Sequence, residues 1–587
     1  MRLGKTEPRL YGETGGRQLN QQNRFLLSIA LMVAILVGWQ FLFGGPTPKP
    51  PGTVAGAPVS APPQQPAQPG AAQALAAATE FRGKVLAASP RIPIDTPRLH
   101  GSIALVGARL DDLTLANYHE TIDPKSPEIT LLSPSGAPEP YFVELGWGAA
   151  GKSVSMPTAE THWTQATEGA LTPTHPVELT WDNGQGLVFK RTIAVDQNYM
   201  FTITQTVINH GGEPVTLSPY GLVSRAGPPP VSSSYLLHEG PIGVFDGTLN
   251  DSVKYTELKP DSKHEYPSTG GWLGFTDKYW LAVLIPEQQQ RLTGEFRWTG
   301  DAQTQRYQAD FVADGVTVPA GGSVEIKNHV FAGAKEVSLL DSYERDLGIP
   351  KFDRAIDFGW FYWITKPIFL TLDFFYQHIG NFGLSIMLLT LTIKLIFFPV
   401  ANKSYRAMSK MKLLQPEIQK LREKYGEDKT KLNSEVMALY KRVGANPMMG
   451  CLPILIQMPV FFSLYKVLYV TIEMRHAPFY GWIHDLSAPD PTTWLNLFGL
   501  VPWHPPVALA FISLGAWPLI MGCTMFLQQK LNPPPADPVQ AKMMMALPLV
   551  FTFMLGQFAA GLVIYWSWNN LLSIAQQWVI MRRAGAT

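Results

Sequence analysis

MMMALPLVFTFMLGQFAAGLVIYWSWNNLLSIAQQWVIM, residues 543–581, carries no Asp, Glu, Lys or Arg across its 39 residues. A single helix of that length would reach about 58 Å at 1.5 Å per residue, roughly twice the hydrocarbon thickness of a bilayer. The stretch is therefore expected to cross a membrane twice, with the break at Ala559-Ala560-Gly561. Working back from it, 507–527 is uncharged, 451–470 is a further apolar run, and 381–400 (NFGLSIMLLTLTIKLIFFPV) holds one charge, Lys394. These make a five-span helical block at 381–583.

The N-terminal region reads differently. Residues 25–43 (FLLSIALMVAILVGWQFLF) are long enough to span and end in Trp39, Phe41 and Phe43, an interfacial aromatic set. A secretory signal would have a shorter apolar run and a small-residue cleavage site soon after it, so an uncleaved anchor is expected. Arg2, Lys5, Arg9, Arg17 and Arg24 place segment 1–24 in the cytosol by the positive-inside rule. Residues 44–85 form a linker, with nine prolines among Ala, Gly and Gln in 44–80. The segment 401–450 has eleven Lys/Arg against five Asp/Glu, and Arg582 and Arg583 follow the last span, whereas 471–506 has only Arg475. Six crossings satisfy this asymmetry, with both termini cytosolic and 44–380 on the opposite side of the membrane.

Between linker and spans, 86–350 changes character. GLVFKRTIAV (186–195) and YMFTITQTVI (199–208) alternate apolar with polar residues, and turn clusters DNGQG (182–186), NHGGEP (209–214) and PAGG (319–322) punctuate them. Short alternating strands at this spacing predict a large antiparallel β-sandwich. The aromatic strip GGWLGFTDKYWLAVLIP (270–286) reads as strand core or as a sugar-stacking surface. Residues 351–380 are aromatic but carry Lys366, Pro367, Asp373 and His378, which suits an amphipathic helix lying in the interface.

Composition excludes other classes. A net charge of +1 argues against a general nucleic-acid binder, and the 16% charged fraction is below the roughly 25% of soluble domains. Cys451 and Cys523, both in apolar runs, exclude a disulfide framework. No P-loop, G-x-S-x-G or H-E-x-x-H occurs, and the outer-domain histidines lack ligand spacing, so no enzyme activity, metal or cofactor is expected.

Lys394 admits two readings: it snorkels to nearby headgroups, or it faces a wetted cavity. Thr390 lies one turn earlier on its helix face, and Gln457, Gln557, Ser567, Asn569 and Asn570 supply uncharged polar groups in other spans. None of these spans contains a carboxylate, the usual requirement of ion-coupled transport. In 401–450, Met408, Met411, Leu414, Ile418, Leu421 and Tyr425, then Leu432, Val436, Leu439 and Val443, predict a helical hairpin with basic outer faces. It is either a solvated coil or a docking element for acidic partners.

LQPEIQKLREKYGEDK (414–429), NPMMGCLPILIQMPVFFSLY (446–465), FYGWIHDLSAPDP (479–491) and GLVIYWSWNN (561–570), with GARLDDLTLANY at 107–118, closely resemble the YidC/Oxa/Alb family of membrane-protein insertases in its Gram-negative form. The resemblance implies a periplasmic β-supersandwich and a five-span core enclosing a hydrophilic groove open to the cytosol. It places Lys394, where many relatives have Arg, and Thr390 in that groove. It also implies that Gln457, Met458, Pro459 and Phe461 in one span, and Tyr565 and Trp566 in another, line the client's path. Tyr565-Trp566 stands where relatives often carry two tyrosines, and Ala559-Ala560 departs from a common Pro-Ser. The implied partners are nascent membrane proteins, the Sec translocon, the ribosome and the signal-recognition-particle receptor through 401–450, and membrane lipids. The competing readings are a secondary transporter or channel, and a membrane-anchored carbohydrate-binding protein.

Overall fold

Period-two alternation becomes sheet. Leu187–Val195 buries every second side chain and pairs antiparallel with Met200–Asn209, Val188 opposite Ile208 and Val195 opposite Phe201. The preceding turn is closed by the Gly184 amide donating to Asp182 Oδ1 at 2.8 Å, with Gly184 in a left-handed conformation at φ 66°. The computed structural model describes residues 81–583 apart from 150–153, 230–236, 261, 301–304, 426–427, 445–448, 450–451, 504, 507–508, 510–511 and 533–537. The expected N-terminal segment, anchor and most of the linker, together with Cys451 and part of the run 507–527, lie outside the described residues.

Among the described residues, 10 strands form one sheet and 9 form another, with every ladder between strands antiparallel. The first sheet runs from Arg91–Asp95 to Lys263–Thr269, with Tyr141–Ala149, Val215–Ala226 and Arg306–Ala313 near its middle. The second runs from Thr248–Asn250 to Thr164–Gln165, with Trp280–Ile285, Ser323–Ala334 and Met200–Asn209 inside it. Both sheets contribute apolar faces to one core, as a sandwich requires. The strip 270–286 is part of this core: Trp272 and Phe275 are buried, and the Trp272 indole donates to the Pro350 carbonyl at 2.9 Å. Lys335 directly follows the strand Ser323–Ala334 and is 1% exposed. Its ammonium donates to Thr276 Oγ1 at 2.9 Å and to the Ala355 carbonyl at 3.3 Å, and burial lowers its pKa to about 8.

Helices follow. α1 (Val337–Leu347) leads into α2 (Tyr362–Ile379). α2 buries Thr365, Ile368, Phe369 and Leu372 while Trp363 and Phe374 face outward, an amphipathic division. Its Lys366 pairs with Asp341 at 2.8 Å and Asp353 at 2.7 Å. α3 (Phe382–Ile396) meets α4 (Phe398–Leu413) at a 69° bend. Pro399 sits in the first turn of α4, where its missing N–H is tolerated. α5 (Gln415–Tyr425) and α6 (Lys429–Val443) form the expected hairpin, joined through Leu414, Ile418, Leu432, Val436 and Leu439. Met408 and Met411, read from the sequence as hairpin positions, instead pack with Tyr405 of α4 against Ile580.

α7 (Leu452–Val470), α8 (Ala516–Leu531), α9 (Pro538–Leu555) and α10 (Ala560–Arg583) complete the chain. Asp490 Oδ2 accepts from the Trp517 amide at 2.9 Å and Thr492 Oγ1 from the Ala516 amide at 3.0 Å, fixing where α8 begins. Likewise the Ala560 and Gly561 amides donate to the carbonyls of Ala488 (2.7 Å) and Leu486 (3.0 Å). α10 therefore starts at Ala560, and the break lies at 556–559, slightly before the expected position. Among the described residues no single helix is both long and apolar enough to cross a bilayer alone. The bent pair α3–α4 is so together, and Leu455–Val470 and Gln540–Leu555 are shorter apolar helices.

Sandwich and helices touch through polar contacts. The Val337 amide donates to Glu473 Oε1 at 3.0 Å, Arg475 Nη2 to the His119 carbonyl at 2.6 Å, and Lys466 of α7 pairs with Asp357 at 2.8 Å. The apolar core is continuous from Ile92 through Phe369 to Leu464 and Tyr565.

Candidate functional site

Residues spaced three and four apart share a helix face. Leu391, Lys394 and Leu395 of α3 continue across the bend into Phe398, Asn402, Arg406, Ser409, Lys410 and Leu413 of α4. Leu572, Ala575, Gln576, Val579, Ile580 and Arg583 form the facing stripe on α10. Between them lies a cavity of about 710 Å³. Four of its lining residues are cations, Lys394, Arg406, Lys410 and Arg583, and none of the described lining residues is a carboxylate. An apolar-walled cavity with this lining attracts anions, because the low-dielectric walls screen the cations poorly.

Lys394 is held on the cavity wall. Its ammonium donates to Ser573 Oγ at 2.7 Å, and that hydroxyl donates in turn to the Asn569 carbonyl at 2.7 Å. The two hydrogen bonds pin the charge against α10 and leave it without a carboxylate partner among the described lining residues.

A second cluster sits farther along α10. Gln457 Nε2 donates to the Tyr565 hydroxyl, and Tyr565 is 2% exposed. Phe461 packs edge-on against Trp566, ring centres 4.6 Å apart, and Trp566 also faces Phe551 at 6.4 Å. Eight residues separate Tyr565 from Ser573, or about 12 Å along the helix. The structure thus joins Gln457 to Tyr565 and Phe461 to Trp566, one station inward from Lys394. Of the eight residues expected to line the path, only Lys394 is in the cavity lining; Thr390, Gln457, Met458, Pro459, Phe461, Tyr565 and Trp566 are not. Thr390 is buried with its hydroxyl donating to the Ile386 carbonyl at 2.7 Å, Met458 points outward at 47% exposure, and Pro459 lies inside α7.

Arg406, Lys410, Ser573, Gln576 and Arg583 escaped the sequence reading. The signal was present, since Lys394, Phe398, Asn402, Arg406 and Lys410 recur every fourth residue. Ending the span at Val400 hid that continuity. Lys466, inside the run 451–470, was also passed over. Its pairing with Asp357 places it at the sandwich contact rather than in the cavity.

A family model for the YidC periplasmic domain matches residues 91–371, and one for the 60Kd inner membrane protein family matches 374–586. The membrane protein insertase YidC of Bradyrhizobium diazoefficiens is 49% identical over 593 residues, covering 95% of this chain and 96% of that protein. The membrane protein insertase YidC of Rhizobium meliloti is 50% identical over 576 residues, covering 96% of each. Among solved structures, the active YidC insertase with its first transmembrane domain resolved aligns at TM-score 0.36 and 17% identity, over 83% of this chain and 91% of that one.

Proposed function

The chain belongs to the YidC family of membrane protein insertases of the bacterial inner membrane, and on that premise we propose that its clients are received in the cavity at Lys394. The observation that carries this reading is the cavity itself, where Lys394 meets no carboxylate among the described lining residues and lies beside the exposed apolar side chains of Leu391, Leu395 and Val579. A short polar segment entering it exchanges water for fixed hydrogen-bonding groups, so it avoids the cost of bare hydrocarbon. The client's apolar part then slides past Phe461 and Trp566 into lipid, where burial contributes roughly 25 cal/mol per Å². Tyr565, held by Gln457, closes the inner end, while Thr390 and Pro459 shape the helices behind it and Met458 faces outward.

In this reading the chain crosses the membrane six times, an anchor at 25–43 followed by five spans, with both termini cytosolic. The support is the basic excess of 401–450 and the Arg582-Arg583 pair. α2 lies along the outer interface. The hairpin of α5 and α6 exposes Lys420, Lys424, Lys431, Lys441 and Arg442, a surface suited to the ribosome and the signal-recognition-particle receptor. Cooperation with the Sec translocon is inferred from the family alone.

Depletion–complementation with several Sec-independent clients tests the role of Lys394. Lys394→Ala and Lys394→Glu are expected to slow insertion, most for clients whose translocated segment is acidic, and Lys394→Arg to restore it. Unaltered insertion of every client by Lys394→Ala would remove this residue from the path.

A further inference from the structure

The cations of the cavity are not evenly placed. Lys394 stands on α3 with its hydrogen bond to Ser573. Arg406 and Lys410 lie one turn apart on α4, beyond the 69° bend, and Arg583 lies at the end of α10. These three side chains are exposed. The surface beside them is apolar and also open: Leu395 is 64% exposed, Leu413 55% and Val579 42%, all three lining the same cavity. Exposed cations next to bare aliphatic side chains fit a ligand with two parts, one anionic and one oily. A soluble anion would use only the first. In a helical bundle lying in a bilayer, the phospholipid of the cytosolic leaflet is an amphiphile with that division, at a depth where basic residues meet headgroup phosphates.

We propose that Arg406, Lys410 and Arg583 bind the phosphate of an anionic phospholipid, whose acyl chains cover Leu395, Leu413 and Val579. The lipid occupies the mouth of the cavity and leaves Lys394 to the client. Guanidinium groups suit a phosphate because their paired N–H donors match two of its oxygens. The inference rests on the membrane placement of α3, α4 and α10 given above, but not on the role assigned to Lys394.

The experiment is native mass spectrometry of the full-length protein released from nanodiscs of phosphatidylcholine doped with phosphatidylglycerol. The wild type is expected to retain phosphatidylglycerol in preference to phosphatidylcholine. The Arg406→Gln/Lys410→Gln/Arg583→Gln variant is expected to retain it about tenfold less, since each basic group near the surface adds to anionic-lipid affinity. The single changes Arg406→Gln and Arg583→Gln, both at exposed positions, should each give a partial loss and keep the test valid if the triple variant does not fold. Equal retention of the two lipids, or retention unchanged in the variants, overturns the site. Displacement of the lipid by millimolar glycerol phosphate with no dependence on acyl chains also overturns it, in favour of a free-phosphate site. Insertion by Lys394→Ala is measured in parallel, against wild type in the same liposomes lacking phosphatidylglycerol. Loss of insertion there, together with unselective lipid retention, defeats the lipid site alone and leaves the client path standing.

Discussion

Three lysines sit in apolar surroundings and meet three different fates. Lys466 finds a carboxylate, Asp357, at 2.8 Å. Lys394 finds a serine hydroxyl on the wall of a cavity. Lys335 is enclosed within the sandwich with a threonine hydroxyl and a backbone carbonyl, and desolvation lowers its pKa from 10.5 to about 8. Because this folded-state value lies below the unfolded one, the unfolded chain holds one more proton between pH 8 and 10.5, so stability rises with pH across that window. Lys335→Met is expected to abolish that rise, measured as the pH dependence of thermal unfolding of the outer domain's strands by circular dichroism. A rise that persists unchanged in the variant would mean Lys335 already loses its proton no more easily than in the unfolded chain. None of the three partners was legible from sequence. A lysine's partner belongs to another element, and Asp357, Ser573 and Thr276 lie 109, 179 and 59 positions away.

Elements were more legible than their ends. The alternating runs at 186–195 and 199–208 became paired strands because period two leaves one clean apolar face. The apolar blocks became helices, yet α3 stops at a bend, α8 begins nine residues into its expected run and α10 starts at Ala560. In the last two, the start is fixed by distant groups, Asp490 and Thr492 for α8 and the carbonyls of Leu486 and Ala488 for α10. Hydropathy does not contain that information. The same holds for how closely helices approach. Gly522 of α8 faces Thr552 of α9 so tightly that an added Cβ would overlap the Thr552 hydroxyl. Gly522→Val is therefore expected to push the two helices apart and destabilise the helical block by about 1–3 kcal/mol. Thermal unfolding of the variant in detergent measures it, and an unchanged midpoint would show that α8 and α9 yield without strain.

At the scale of the whole molecule, the antiparallel sandwich and the helical core share one continuous apolar interior, and the polar contacts of Glu473, Arg475 and Lys466 tie them together. The fold class and family were readable because long charge-free runs and collinear motifs survive without knowledge of partners. Of the residues the sequence singled out for the groove, Lys394 lines the cavity, whereas Gln457, Phe461, Tyr565 and Trp566 form a separate cluster, and the cations Arg406, Lys410 and Arg583 were concealed by the bend beyond which two of them lie. The account's central claim is that clients enter beside Lys394 and leave past Trp566. Photocrosslinking to a ribosome-stalled nascent membrane protein tests this directly, with the reactive residue placed at Gln576 in the cavity, at Trp566, or at Phe526 on the outer side of α8. Adducts are expected from 576 and 566 and not from 526. Adducts of equal strength from all three, or none from 576 while insertion proceeds, would contradict it.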